Sequence, residues 1–345
     1  MQRLAPPITT PFTRLLGLHT PLVGGAMNTV SSLELACAVS LAGGFGFWAV
    51  DARRSMAEFK AELARAREAL SAPPDKPLHL GLGALGWMLE QEPSAVREMF
   101  EHGVREPPGV QAAWLSFAND MARWVRRVRE LDEERGDGRK TFVFIQVGTL
   151  GQALQARDLG ADVIVLQGNE AGGHSWEVAP PTATLLAQVL DELPHSRPHI
   201  LAAGGVGDGS RAAALLKQGA EGVVLGTVLA ATEESLYPEA SKRQLARAEP
   251  LTTVRTTLWD RVQGRPWPAG VTGRALDNPL REDERQGLSV PEIRELMKKD
   301  GKAAKERTIV WAGEGVGHVR EIRPAQDVIA QLHEETVQAL GSPQL

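Results

Sequence analysis

Eight short apolar runs recur along this chain of 345 residues, and each is followed by a longer segment of helical periodicity or by an insertion. The runs are PLVGGAM (21–27), GFGFWAV (44–50), PLHLGLG (77–83), AWLSF (113–117), TFVFIQVG (141–148), DVIVLQG (162–168), HILAAGG (199–205) and EGVVLGT (221–227). They lack the strict alternation of a half-exposed strand, which predicts strands covered on both faces. Strands and helices in series predict a parallel sheet of the α/β class, and eight such units favour a closed (β/α)₈ TIM barrel.

A doubly wound open sheet is the alternative architecture. The turn after the first run, GGAMNTVSS, lacks the G-x-G-x-x-G pattern typical of that fold. Two regions do not fit the repeat, residues 84–113 and residues 232–307. We expect them to form a small, mainly helical cap or substrate domain inserted into a barrel made of residues 1–83, 114–231 and 308–345.

The composition indicates a protein that acts on small molecules. The formal net charge of −5 offers no positive field for nucleic acid or for an anionic membrane. No stretch approaches the roughly 20 apolar residues that span a bilayer, and prolines interrupt the first 17 residues. The single cysteine, Cys37, excludes a disulfide framework within the chain. These features predict a cytoplasmic protein.

The side chains at the predicted strand ends are few and mostly uncharged. They include no pair of carboxylates for glycoside hydrolysis, no dense His/Asp/Glu set for a metal, no strand-end lysine and no G-x-S-x-G motif. Because these side chains include few catalytic groups, we expect an organic cofactor to supply the reaction chemistry. The candidates at these positions are Asn28, Gln146, Gln167, Glu170, His174 and Thr227.

Glycines follow the last two predicted strands, in AAGGVGDG (202–209) and LGT (225–227). These loops form the usual phosphate site of such barrels, and a side chain at Gly204 or Gly205 would hold a phosphate away from the main-chain N–H groups. Each glycine taken alone is also explained by a helix cap or a tight turn. In VGGAM, paired glycines at the end of the first strand indicate close approach by another backbone or by a flat ligand.

The motifs GGAM…LAGGFGFWAV, QGNEAGGHSW, AAGGVGDG and LGT, with the closing segment RTTLWD…VWAGEGVGHVREIRPAQDVI, together resemble the nitronate monooxygenases, formerly called 2-nitropropane dioxygenases. Members of that family are FMN-dependent barrels, and the resemblance runs from about residue 15 to residue 335. It implies that the FMN phosphate binds at Gly204, Gly205, Gly226 and Thr227. It places the isoalloxazine edge near Gly25, Ala26, Met27, Gln167 and Gly172, with Gly173 beside it.

The resemblance also makes His174 the catalytic histidine, either a base or an anion binder above the flavin. The implied reaction is the oxidation of alkyl nitronates, and of nitroalkanes where accepted, by O₂ to carbonyl compounds and nitrite. It implies no metal and is compatible with a homodimer. The sequence departs from the family at Ala26, where members often have proline, and at Trp176, where they often have glycine. We expect Trp176 to fill or wall part of the substrate pocket.

Three alternatives remain at this level. The same barrel with FMN also serves NAD(P)H:quinone reductases and enoyl reductases, which take hydride from a nicotinamide. A flavin-binding carrier or sensor without turnover is another, although it would leave His174 without a task. A histidine bonded only to neighbouring carbonyls is the third.

Overall fold

The computed structural model describes residues 5–193, 198–265, 267–299 and 301–341, so the chain ends assigned above to the barrel, 1–4 and 342–345, lie outside it. Two sheets form within the described residues. Their strands, in chain order, are β1 (Leu22–Gly24), β2 (Phe47–Ala49), β3 (Leu78–Leu85), β4 (Val110–Ser116), β5 (Phe142–Val147), β6 (Val163–Gln167), β7 (Gly173–Trp176), β8 (His199–Ala203), β9 (Gly222–Leu225), β10 (Thr253–Thr256) and β11 (Val271–Leu276).

The larger sheet is the predicted barrel. Its order is β1-β9-β8-β6-β5-β4-β3-β2, and all its pairings are parallel. A parallel bridge between Val23 and Phe45 joins β1 to the segment leading into β2 and brings the two ends of the sheet together. Each of the eight predicted runs contains or overlaps one of these strands, so the (β/α)₈ prediction is confirmed and the open doubly wound sheet is excluded.

The helices surround the strands and continue into the C-terminal part of the chain. They begin where the sequence supplies a cap: Ser32 accepts a hydrogen bond from the N–H of Leu35, and Ser55 forms a capping box with Glu58. None in the described part of the chain is long and apolar enough to cross a lipid bilayer. The helices are α1 (Pro11–Leu16), α2 (Leu33–Leu41), α3 (Met56–Ala69), α4 (Gly86–Leu89), α5 (Ala95–Arg105), α6 (Met121–Arg135), α7 (Leu150–Asp158), α8 (Thr182–Glu192), α9 (Gly209–Gln218), α10 (Thr227–Ala230), α11 (Glu239–Arg247), α12 (Leu258–Gln263), α13 (Leu280–Arg285), α14 (Val290–Lys298), α15 (Lys302–Glu306) and α16 (Ala325–Gly341).

Aromatic side chains fill the inside of the barrel. Phe47 and Phe144 lie edge to face with ring centroids 4.9 Å apart, and Phe12 of α1 reaches Phe144 at 6.1 Å. These rings are at most 1% exposed. The interior is therefore a packed core, which leaves the loops after the strands as the place for a ligand.

The prediction that residues 84–113 belong to the cap is wrong. β3 continues to Leu85, and α5 packs on β3 and β4 between α3 and α6, as a regular helix of the outer ring. Prolines and charges around this segment give it the composition of an insertion, yet its apolar residues recur every three or four positions and are buried. They are Val96, Met99, Phe100 and Val104.

Residues 232–307 carry α11 to α15, but they are not only helical. β10 and β11 pair antiparallel, and β11 also pairs antiparallel with β7, which comes from the loop after β6. This three-stranded unit, called the second sheet below, ties residues 173–176 to the C-terminal part of the chain. Its assignment to a substrate domain stays a prediction.

Candidate active site

A cavity opens at the carboxyl ends of the barrel strands, between them and the second sheet. The space between protein atoms here, solvent at the open mouth included, is about 1210 Å³. The eleven residues that the family resemblance implied all line it. They are Gly25, Ala26, Met27, Gln167, Gly172, Gly173, His174, Gly204, Gly205, Gly226 and Thr227. Of the other strand-end candidates, Asn28 and Gln146 line it, whereas the carboxylate of Glu170 accepts hydrogen bonds from Thr182 instead.

The loops after β8 and β9 present bare backbone to the cavity. Gly204 and Gly205 have φ of 118° and 70°, a region that strongly favours glycine. A Cβ on Gly226 would meet only the sulfur of Met27, at 3.8 Å, so this position is open on the cavity side. Within the described residues, the N–H groups of Gly205 and Gly226 find no acceptor. Unpaired main-chain donors of this kind suit an anion.

Thr227 faces the same loops and is held by the C-terminal segment. Its Oγ1 accepts a hydrogen bond of 2.9 Å from the N–H of Gly313. The hydroxyl proton has no acceptor in the described part of the chain, so it remains available to a ligand.

The end of β1 is shaped by its neighbour β9. The N–H of Gly25 donates to the carbonyl of Leu225 at 3.0 Å, and a Cβ on Gly25 would lie 3.3 Å from that same oxygen. Close approach of another backbone therefore accounts for this glycine. Farther along, Oδ1 of Asn28 is buried and accepts no hydrogen bond from the residues that the structure describes.

Two amide side chains cross the floor of the cavity in a fixed orientation. The indole N–H of Trp114 donates to Oε1 of Gln146 at 3.1 Å, and Nε2 of Gln146 donates to Oε1 of Gln167 at 2.8 Å. An indole can only donate, so it determines which end of each amide faces the next. The NH₂ group of Gln167 is thereby left as the free donor.

The loop between β6 and β7 is gripped from behind by two arginines of the second sheet. Arg255 donates to the carbonyl of Ala171 at 2.8 Å, and Arg274 donates to that of Asn169 at 3.1 Å. Burial, with the nearby charge of Arg274, lowers the pKa of Arg255 to about 10. Gly172 serves this packing too, because a Cβ there would lie 2.4 Å from the backbone nitrogen of Gly313.

His174 lies on β7, not on a loop, opposite Gly273 of β11. Its Nε2 is 2.7 Å from Oδ1 of Asp260, and the two side chains are only 9% and 12% exposed. Trp267 stacks on the imidazole with centroids 3.5 Å apart, and Trp311 lies tilted at 4.7 Å. The ring therefore has little freedom to turn. Its partner is a carboxylate, so the alternative of a histidine bonded only to carbonyls is excluded.

Burial is the main influence on the charge of His174. It lowers the pKa of the imidazole below its ordinary 6.5, and the positive charges of Arg255 and Arg265 act in the same direction. The hydrogen bond and charge of Asp260 oppose them without prevailing. At pH 7 the imidazole is thus neutral and able to accept a proton.

Comparison with known proteins shows the family to which this chain belongs. The family model of the nitronate monooxygenases matches residues 9–335. The chain belongs to the nitronate monooxygenase family. It is therefore an oxidoreductase from a family whose members are in general flavoenzymes.

Relatives of known name agree with this assignment. The nitronate monooxygenase of Neurospora crassa is 31% identical over 91% of this chain and 88% of that protein. The solved structure of nitroalkane oxidase from Streptomyces ansochromogenes is 26% identical and superposes with a TM-score of 0.71 over 95% of this chain and 98% of that one. FabK from Thermotoga maritima has a TM-score of 0.73 over 96% and 97% of the two chains at 24% identity, a likeness of fold.

One side of the cavity is aromatic. Phe117 and Trp267 line it, at right angles with centroids 5.5 Å apart. Trp176 stacks behind Phe117 at 4.5 Å and packs against Gly148, so it supports the wall more than it forms it. Trp48 and Trp259 lie in hydrophobic cores away from the cavity.

Sequence reasoning missed several residues of the cavity. Asp260 is 86 positions from His174, and although it ends the segment RTTLWD, nothing in that segment indicated a role for it. Arg265 and Trp311 come from the same C-terminal part of the chain, where only a fold places them beside β7. Trp114 lies inside a predicted strand, where a tryptophan is expected to be core. Only the resemblance of the closing segment to the family indicated that this region contributes to the site.

Proposed function

We propose that this protein binds FMN in the cavity and oxidises alkyl nitronates, together with small neutral nitroalkanes, by O₂ to carbonyl compounds and nitrite. The observation that carries the proposal is that the anion-binding backbone after β8 and β9 and the neutral His174 line one cavity. Together they would hold the phosphate of a flavin and present a base to a substrate in the same space.

The residues present fit FMN. The unpaired N–H groups of Gly205 and Gly226 and the hydroxyl of Thr227 supply donors for a phosphate. Near the end of β1 and on the cavity floor, the free NH₂ of Gln167 and the orphaned Oδ1 of Asn28 supply a donor and an acceptor for a ring that carries both kinds of polar atom. When bound, FMN would accept the electrons of the substrate and pass them to O₂.

In the proposed reaction, the side chains of this protein accept one proton and bind one anionic group. A neutral nitroalkane must lose the proton on its α-carbon, and His174 would accept it: the C–H bond breaks, an N–H bond forms and the electron pair moves to the nitro group. The resulting imidazolium faces an anionic nitronate and binds it. A preformed nitronate needs only this binding step, so His174 has a larger task with the neutral substrate.

The aromatic side of the cavity favours small substrates of low polarity. Phe117 and Trp267, with Trp176 packed behind Phe117, leave little mobile side chain to move aside for a bulky group. A dry wall of this kind also keeps water from a reactive site.

The test is to identify the bound flavin and then compare substrates. Mass spectrometry of the cofactor released by heat should give FMN, and oxygen uptake should follow addition of propionate 3-nitronate. Oxidation of NADPH with a quinone, in the absence of nitronate turnover, would instead assign the reductase alternative. Release of FAD, or of no flavin, would contradict the cofactor.

A further inference from the structure

The hydrogen bond between His174 and Asp260 joins β7 of the second sheet to α12. At 2.7 Å it has the length expected when a carboxylate is one of the partners. Within the described residues, this is the one hydrogen bond of the Asp260 side chain. The buried carboxylate therefore interacts with the imidazole alone. By contrast, Asp283, another buried carboxylate of residues 232–307, pairs with Arg307 at 2.7 Å.

Both partners are held firmly. His174 is fixed by the pairing of β7 with β11. Asp260 lies on α12, whose neighbouring residues Leu258 and Trp259 are fully buried in a core of their own. The indole N–H of Trp259 also donates to the carbonyl of Val254 at 3.3 Å. The distance between the two side chains is therefore set by packing and not by chance rotamers.

The geometry determines which nitrogen of His174 is basic. A carboxylate can only accept, so a neutral imidazole presents Nε2–H to Asp260 and keeps its lone pair on Nδ1. Trp267 and Trp311 cover the ring, and Nδ1 has no hydrogen bond to the described part of the chain. The charged groups facing this imidazole are Asp260 from α12, Arg255 from β10 and Arg265 from the loop after α12. Only Asp260 favours the protonated form.

We infer that Asp260 is a positioning residue that selects the Nε2–H tautomer of His174, directs Nδ1 to the substrate and stabilises the imidazolium after proton transfer. This inference rests on the proposed function, since it assigns the atom that removes the substrate proton. During the step, the α-carbon proton passes to Nδ1 and the proton on Nε2 stays between the imidazole and the carboxylate. No further acceptor or oxidant is required for it.

The decisive variant is Asp260→Asn, which keeps the size of the side chain and removes the charge. Its amide can donate to Nε2, which selects the opposite tautomer and protonates Nδ1. For a neutral nitroalkane, kcat should fall at least about tenfold and by no more than the roughly 10⁴-fold that a general base contributes. Turnover of the preformed nitronate should change much less. The acidic limb of the pH profile of kcat/KM should move to lower pH, because the group that raises the pKa of His174 is lost.

Two further variants separate positioning from folding. Asp260→Glu restores a carboxylate and should recover part of the lost kcat. Asp283→Asn removes a buried carboxylate from the same unit, where it pairs with Arg307, and should reduce stability without moving the pH profile. Equal losses on both substrates with an unchanged pH profile in Asp260→Asn would overturn the inference.

A readout without turnover completes the test. In ¹⁵N-histidine-labelled holoenzyme, the His174 signals, assigned by their loss in His174→Asn, should show protonated Nε2 and unprotonated Nδ1 at pH 8. In Asp260→Asn this pattern should reverse or average. An unchanged tautomer would overturn the inference even where nitronate oxidation is found, whereas absence of nitronate oxidation in the wild type would overturn the proposed function and leave the tautomer measurement standing.

Discussion

The imidazole of His174 is hydrogen-bonded to Asp260 at one nitrogen and stacked on Trp267. A single substitution can therefore separate its two proposed roles, base and anion binder. His174→Asn keeps a donor for Asp260 and removes the base. We expect a loss of about 10²- to 10⁴-fold in kcat/KM on a neutral nitroalkane, a much smaller loss on the nitronate and unchanged FMN content. Steady-state oxygen uptake and flavin absorbance measure all three. Equally large losses on both substrates would mean that His174 chiefly binds the anion.

The indole of Trp114 fixes the orientation of the side-chain amides of Gln146 and Gln167. Trp114→Phe leaves Oε1 of Gln146 without its donor, so the free energy of unfolding should fall by about 0.5–1.5 kcal/mol more than in Trp124→Phe. Trp124 is the matched control because it is equally buried, at 1% exposure against 3%, while its indole N–H has no acceptor among the described residues. Urea denaturation of both variants gives the difference. Equal destabilisation would show that the orientation of the two amides does not depend on Trp114.

At the scale of elements, the loop from β8 to α9 combines a left-handed backbone with the proposed phosphate site. Gly205→Asp should place a carboxylate against the phosphate and give largely flavin-free protein. Gly138→Asp is the control, since Gly138 has a similar φ of 72° against 70° and no neighbour within 4 Å of a Cβ. It shares the backbone strain but lies outside the cavity, so it should retain FMN. Flavin absorbance after gel filtration distinguishes them; normal loading of Gly205→Asp would move the phosphate elsewhere.

The elements that could be predicted from sequence are those whose signal is local. Each barrel strand is a buried apolar run, and Ser32 and Ser55 mark helix starts by their own capping bonds. β7 was not predicted, because its four residues form a strand only by pairing with β11, about 100 positions later. α5 was assigned to the wrong unit since its flanking prolines and charges, not its buried face, dominate its composition.

At the scale of the whole molecule, the proposed binding of FMN should be linked to folding. A ligand that binds only the native state at 100 times its Kd adds about 2.7 kcal/mol to the free energy of unfolding. We expect that increase when FMN is added to flavin-free protein, and none for Gly205→Asp. Urea titrations with and without FMN measure it. The same increase in both proteins would place flavin binding outside the loops after β8 and β9.

The lining of the cavity could be predicted where chain direction brings it together. The ends of parallel strands meet at one edge, which is why residues as distant as Gly25, Gln167 and Thr227 share the cavity. The positions of Asp260 and Arg265 could not be predicted in this way, because both residues come from the segment 232–307, which lies outside the series of barrel strands. Their position depends on packing between segments, for which the sequence contains no spacing rule.

The pairing of β7 with β11 limits how this enzyme can be shortened or recombined. The loops after β8 and β9 belong to the barrel, whereas the strand carrying His174 is completed by residues encoded about a hundred codons downstream. A chain ending after β9 would keep the glycines of the anion site but lose the partner strand of the histidine and its carboxylate. A chimera that takes its C-terminal unit from another family member must therefore exchange residues 173–176 together with 253–276, two separate stretches of the gene.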